Sequence, residues 1–155
     1  MYTVAKNTKT ISFALMAIGL IALIFGFATD AHRAWPSLMI NNYFFLAIAA
    51  FAIFFVALQF VSEAAWAVTL QRVAEGISSY FIIGGLIMLF IIFGGAMHWN
   101  HIWHWMAEGI MDPNSEHYDA IIAGKEGYLN VPFFFGRAVV YIFGWWFASR
   151  KLRQL

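Results

Sequence analysis

Four of the five histidines in this 155-residue chain, His98, His101, His104 and His117, fall in one polar block, residues 98–137. Imidazoles beside carboxylates offer nitrogen and oxygen donors of the kind that zinc, copper or iron accept. His98 and His101 stand at i, i+3, and Glu108 supplies a carboxylate within the same segment. No His-Glu-x-x-His pattern accompanies them, so the spacing is a weak metal signal. Three of these histidines, His98, His101 and His104, with Glu108, form instead a candidate docking surface outside the lipid. A second polar group is Gln59, Ser62, Glu63 and Trp66, at i, i+3, i+4 and i+7. An ionisable side chain in a membrane segment is costly and faces a protein interior or a water cavity. Gln59 and Glu63 are therefore candidates for a proton path, with a structural alternative in which Glu63 is held by an arginine such as Arg72. A third group is Arg137 with Tyr141, Gly144 and Ala148 on one helical face. Arg137 either snorkels to headgroups or, with Tyr141, meets a carboxylate, a quinone or a lipid headgroup.

The elements that must position these residues are membrane helices. The chain is 63% hydrophobic and only 11% charged, under half the roughly 25% of a soluble domain, so too little polar surface exists to cover a water-soluble globule. A net charge of +1 gives no argument for nucleic acid. With no cysteine, thiolate chemistry, Cys-ligated iron–sulfur clusters and Cys-attached haem are excluded within the chain. No histidine lies in the core of a span, which argues against haem held between the helices. Residues 11–29, 43–68, 78–97 and 131–149 read as four spans, each near the ~20 apolar residues that cross a bilayer. The first ends in Thr29-Asp30-Ala31-His32-Arg33, without a small-x-small cleavage site, and reads as a retained helix.

Lys6, Lys9, Arg72, Arg150, Lys151 and Arg153 share one side of such a bundle, and Arg33 and Lys125 the other. The positive-inside rule then puts both termini in the cytoplasm and loop 98–130 outside. Ser12, Gly19, Ala22, Gly26 and Thr29 make a small-residue stripe expected to pack on a neighbouring helix, and Gly84-Gly85 and Gly94-Gly95 repeat the device in the third span. On a helical wheel, His98, His101, His104, Glu108 and Asp112 separate from Trp99, Trp103, Met106 and Ile110. That split predicts an amphipathic helix in the membrane interface. Met111-Asp112-Pro113-Asn114-Ser115 breaks it, Gly124–Asn130 forms a re-entry turn, and Asn130 is placed to cap the last helix with Pro132 in its first turn. The fold expected is all-α and integral to the membrane, a single domain of four spanning helices plus an interfacial helix in an outer loop.

The stretches MYTVAKNTKTISFALMAIG, QFVSEAAWAVTLQRVAEG, HWNHIWHW and GKEGYLNVPFFFGR resemble part of alternative complex III, the bacterial quinol:electron-acceptor oxidoreductase. Within it, they are most similar to the second of its two large polysulfide-reductase-like (NrfD-type) membrane subunits. Members of that family look like bundles of about ten spanning helices, so this chain corresponds to an N-terminal portion or to a shortened relative. The resemblance implies a non-catalytic component of the cytoplasmic membrane that holds no cofactor itself. Haem c and iron–sulfur clusters would sit on partner subunits, the quinol site on the sister membrane subunit, and proton half-channels would run through both membrane subunits. Two other classes remain open: a metal-dependent membrane enzyme using His98, His101 and His104, and a stand-alone four-helix transporter or channel.

Overall fold

The computed structural model describes residues 6–154. Residues 1–5, which open the first of the resembling stretches, lie outside the described residues. Six α-helices follow in order: α1 Lys6–Thr29, α2 Ala31–Val61, α3 Val68–Ser78, α4 Tyr80–Ala96, α5 Ala120–Ala123 and α6 Val131–Leu152. Single 3-10 turns cover Ala65–Ala67 and His104–Met106, and no strand occurs among the described residues. Asn7–Thr29, Ala31–Val61, Val68–Ala96 and Val131–Leu152 are each long and apolar enough to cross a bilayer. Lipid offers no hydrogen bonds, so a spanning backbone must pair with itself, which a helix does. The chain is an all-α, multi-pass membrane protein.

The described residues fall into two compact units, within Met1–Leu38 and within Met39–Leu155. In the first, Asp30 separates α1 from α2. Its Oδ1 accepts a hydrogen bond from the Arg33 backbone N–H at 3.2 Å. Its carboxylate also pairs with Arg33 Nε at 3.4 Å, an exposed ion pair worth at most about 1 kcal/mol. A Cβ on Gly26 would stand 4.0 Å from that of Ala34, and Phe27 meets Trp35 edge-on, centroids 5.0 Å apart. The small-residue stripe of α1 is thus used only at its Gly26 end. Gly19 has nothing within 4 Å, and large apolar chains such as Phe13, Met16 and Ile21 remain exposed around the helix. Glycines lower the cost of close approach but bring no partner with them.

In the second unit the paired glycines of α4 are used as expected. Ala49 and Ile53 of α2 meet Phe81 of α4 and Ile142 of α6 in one buried cluster, and Ala52, Val56 and Ala74 form another. A Cβ on Gly85 would lie 2.5 Å from Ile142 Cγ2, so α4 and α6 touch there through the absence of a side chain. A Cβ on Gly84 would stand 2.7 Å from the Tyr80 ring and 3.3 Å from Asn42 Oδ1, so the missing side chain leaves room for both. The Asn42 amide donates to the Gly84 carbonyl at 2.9 Å, and its Oδ1 accepts from Tyr80 Oη at 2.9 Å. Asn42 is buried with both ends of its amide satisfied. Bonds of this kind between membrane helices contribute about 0.5–2 kcal/mol.

The boundaries differ from expectation at three places, one of them the span expected over 78–97, which starts at Val68. Residues 43–68 are not one span: α2 starts twelve residues earlier, at Ala31, and stops at Val61. The interfacial helix expected over 98–112 is absent, replaced by the 3-10 turn and a hydrogen-bonded loop. The early stop of α2 and the missing interfacial helix arise from how α2 and α4 end.

Gly85→Ala should force α4 and α6 apart and destabilise the bundle by about 1–3 kcal/mol. Shortening the opposing side chain with Ile142→Ala in the same protein should recover part of that loss. Thermal unfolding in detergent, followed by helical circular dichroism, reads both changes.

Candidate functional site

Glu63 and His98 carry the two sequence-level hypotheses, and both have left-handed backbone, with φ of 49° and 58°. At the end of α2, the Glu63 N–H donates to the Phe60 carbonyl at 3.4 Å and the Ala64 N–H to the Gln59 carbonyl at 3.3 Å. At the end of α4, the His98 N–H donates to the Gly95 carbonyl at 3.1 Å and the Trp99 N–H to the Gly94 carbonyl at 2.8 Å. Each set is a Schellman stop, in which a left-handed residue turns the chain so that the last carbonyls find donors. Glycine usually fills that position. Here a carboxylate and an imidazole do, at a backbone cost of about 1–2 kcal/mol each.

The α2 stop dissolves the expected helical stripe. Ser62 donates its hydroxyl to the Leu58 carbonyl at 2.8 Å, and Trp66 lies exposed in the next turn. Glu63 is exposed and, among the described residues, makes no ion pair with Arg72. What Gln59 and Glu63 share is a recess of about 290 Å³, in which Gln71 is the third polar group among walls such as Phe55, Val56, Phe60 and Val68. From Gln71 a polar line continues along α3. Gln71 Nε2 donates to Glu75 Oε1 at 3.1 Å, Ser78 Oγ to the Glu75 carbonyl at 2.8 Å, and Arg153 Nη2 to Ser78 Oγ at 2.7 Å. Gln71, Glu75 and Ser78 stand at i, i+4 and i+7 and are half-buried or buried. Their helical periodicity is visible in the sequence too, one turn beyond the stripe centred on Glu63, and it marks the polar face of α3.

Beyond α4 the histidines do not converge. His98, His101, His104 and His117 are all exposed, and no group of three His, Asp or Glu side chains among the described residues is placed to hold a metal ion. Asn100 organises the segment instead. It is buried, donates to the Ile91 carbonyl at 3.0 Å and accepts from the Ile102 N–H at 3.4 Å, which ties the departing chain back to α4. Trp103 lies against Gly95, where a Cβ would stand 2.7 Å from its ring. Trp103 and Trp105 pack on Phe134 of α6, with centroids 6.1 and 5.3 Å away. Trp99 packs on Phe93 at 5.8 Å.

Residues 109–119 close on themselves. Gly109 has φ of 77°, the Asp112 carboxylate accepts from the Asn114 N–H at 2.9 Å, and the Asp119 N–H donates to the Ile110 carbonyl at 2.9 Å. Ile110 is buried beneath this loop. The polarity split seen on the helical wheel therefore survives without the helix: His98, His101, His104, Glu108 and Asp112 are exposed, whereas Trp103, Met106 and Ile110 turn inward. Trp99 is the exception on the apolar side, at 53% exposed.

Arg137 is half-buried and Tyr141 exposed. Its guanidinium stacks on the Tyr128 ring 3.6 Å from the centroid, with Phe133 at 4.6 Å, and Nη2 donates to the Tyr128 carbonyl at 3.2 Å. Nη1 is buried without a hydrogen-bond partner among the described residues. Asn130 caps α6 as expected, accepting from the Phe133 N–H at 2.9 Å, and Pro132 lies in the first turn. Arg137 and Asn130 together fix the re-entry turn onto the start of α6.

The sequence matches no family model and no curated protein.

His98→Gly and Glu63→Gly should each keep the fold and leave thermal stability equal or higher, by up to about 1 kcal/mol, because glycine adopts the left-handed turn without strain. His98→Val should instead lose about 1–2 kcal/mol. A valine variant as stable as its glycine counterpart, in detergent melts, would rule out the helix-stop role of this residue.

Proposed function

We propose that this chain is a supporting membrane subunit of a bacterial respiratory quinol:electron-acceptor oxidoreductase of the alternative complex III type. It would lie in the cytoplasmic membrane with both termini inside, and its 98–130 loop would receive the haem c and iron–sulfur subunits outside. The four resembling sequence stretches support the family. The observation that carries the supporting role is the build of the loop. Its tryptophans anchor it to α4 and α6, while His98, His101, His104 and Glu108 face outward. A surface held still by its own scaffold loses little freedom when a partner docks.

A proton path is part of this reading. Gln59 and Glu63 open on the recess, and Gln71 and Glu75 continue the polar line along α3 toward Ser78 and Arg153. A recess lined by two amides and a carboxylate has the partners that a bridging water needs. Glu63 at its mouth would exchange protons with the aqueous phase, and half-buried Glu75 would be the next carrier.

Purification of the tagged chain from its own membranes in mild detergent should bring down c-type haem absorbance and cluster-bearing proteins. Recovery of the chain alone, free of redox-active partners, would count against the subunit reading. For the proton path, Glu63→Gln and Glu75→Gln keep side-chain size. Each should slow quinol-linked proton release in the assembled complex by about tenfold or more. Unchanged release in both variants would leave these residues with structural roles only.

A further inference from the structure

At the end of the second unit where α6 finishes, α3, α4 and α6 enclose a cleft of about 500 Å³. Its rim carries Arg150 and Arg153, with the hydroxyls of Ser78, Ser79 and Ser149, and Phe81, Ile82 and Trp146 form an apolar wall. No carboxylate among the described residues lines it. Neither guanidinium has an ion-pair partner within 4 Å among the described residues. Arg153 is aimed by its 2.7 Å hydrogen bond to Ser78 Oγ, which uses one of its five N–H donors. Arg150 lies over the Trp146 ring at 5.6 Å. Ser149 is only 6% exposed.

Cations in the last turn of a helix offset the partial negative charge of its terminal carbonyls. That accounts for Arg150 and Lys151, yet it does not call for hydroxyls or an aromatic wall around them. Two guanidinium forks beside hydroxyl donors match the oxygens of a phosphate. Phe81, Ile82 and Trp146 beside them give an apolar surface that the first acyl carbons of a lipid can contact. Glu75 does not line the cleft. It sits behind Ser78, in a separate small recess that also touches Arg153, and is hydrogen-bonded to Gln71.

We propose that this cleft is a binding site for the phosphate head of an anionic phospholipid, with Arg150, Arg153 and Ser149 holding the phosphate and Trp146 flanking the first acyl carbons. Basic pockets between spanning helices recognise such heads by this combination of charge and apolar wall. The proposal is independent of the subunit reading, because it concerns a lipid and not a redox partner.

The test uses the full chain, purified in detergent and equilibrated with equal amounts of phosphatidylglycerol and phosphatidylcholine, with retained lipids counted by native mass spectrometry. Phosphatidylglycerol should be retained preferentially. That preference should fall about fivefold in Arg150→Gln and again in Arg153→Gln, and stay unchanged in Lys151→Gln, whose side chain lies outside the cleft over Phe147. Arg150 makes no side-chain hydrogen bond among the described residues, so its variant reports on binding even if Arg153→Gln unfolds. Equal retention of the two lipids, or an equal loss in Lys151→Gln, would overturn the proposal. So would displacement of the lipid by millimolar inorganic phosphate, which would mark a site for the free anion.

Discussion

A chain that leaves a spanning helix must find donors for the last four carbonyls of that helix, and near lipid it cannot borrow them from water. In this protein α2 and α4 meet that requirement by the same means, a left-handed residue followed by a donor that reaches back five positions. Much of the second unit follows from those two stops. Ending α2 at Val61 frees residues 62–67 to turn, which starts α3 and forms the recess shared by Gln59, Glu63 and Gln71. Ending α4 at Ala96 sends the chain sideways, so that Asn100 can return to the Ile91 carbonyl and Trp103 can cover Gly95.

Between the stops, contact is set by what the helices omit. There is little hydrophobic gain in moving an apolar side chain from lipid to a neighbouring helix, so association depends on close approach and on a few polar ties. Gly84 and Gly85 provide both, on neighbouring positions of α4. One admits Asn42 and a carbonyl-to-amide bond, and the other admits Ile142. Gly19 on α1 has no such neighbour, although its stripe looks equally suited in the sequence. The difference lies in the facing helix: Asn42 and Ile142 are shaped for the gap they fill, and a run of small residues does not specify what fills it.

That contrast also explains what is legible in the sequence. The all-α class and the existence of four apolar spans follow from composition and length alone, because lipid leaves helices as the simplest way to pair a backbone. The cap at Asn130 with Pro132 behind it is local chemistry and is equally legible. The ends of α2 and α4 are not, since a Schellman stop with glutamate or histidine in the glycine position carries no glycine to announce it. Asn42 is hidden for a related reason: it precedes the most apolar part of α2 and so resembles a loop residue. The recess at Gln59 and Glu63 needs Gln71, which comes from the far side of a turn that hydropathy alone does not separate from the helix before it.

Histidine spacing in the 98–112 segment shows how a true pattern can imply a wrong element. The alternation of imidazoles and tryptophans fits a helical period, and the structure keeps part of its consequence, with the imidazoles exposed, Trp103 and Met106 half-buried and Ile110 buried. Two residues bound any helix here, His98, committed to ending the previous one, and Gly109, with a φ of 77° eleven residues later. Between them Asn100 turns the chain back, donating to the Ile91 carbonyl and accepting from the Ile102 N–H. Tryptophan rings can instead reach Phe93 and Phe134 from a loosely turned chain, since each ring needs one apolar neighbour and not a continuous face. The same turned backbone spreads His98, His101 and His104 over the surface rather than along one line. That spread separates donors that a helix would have gathered.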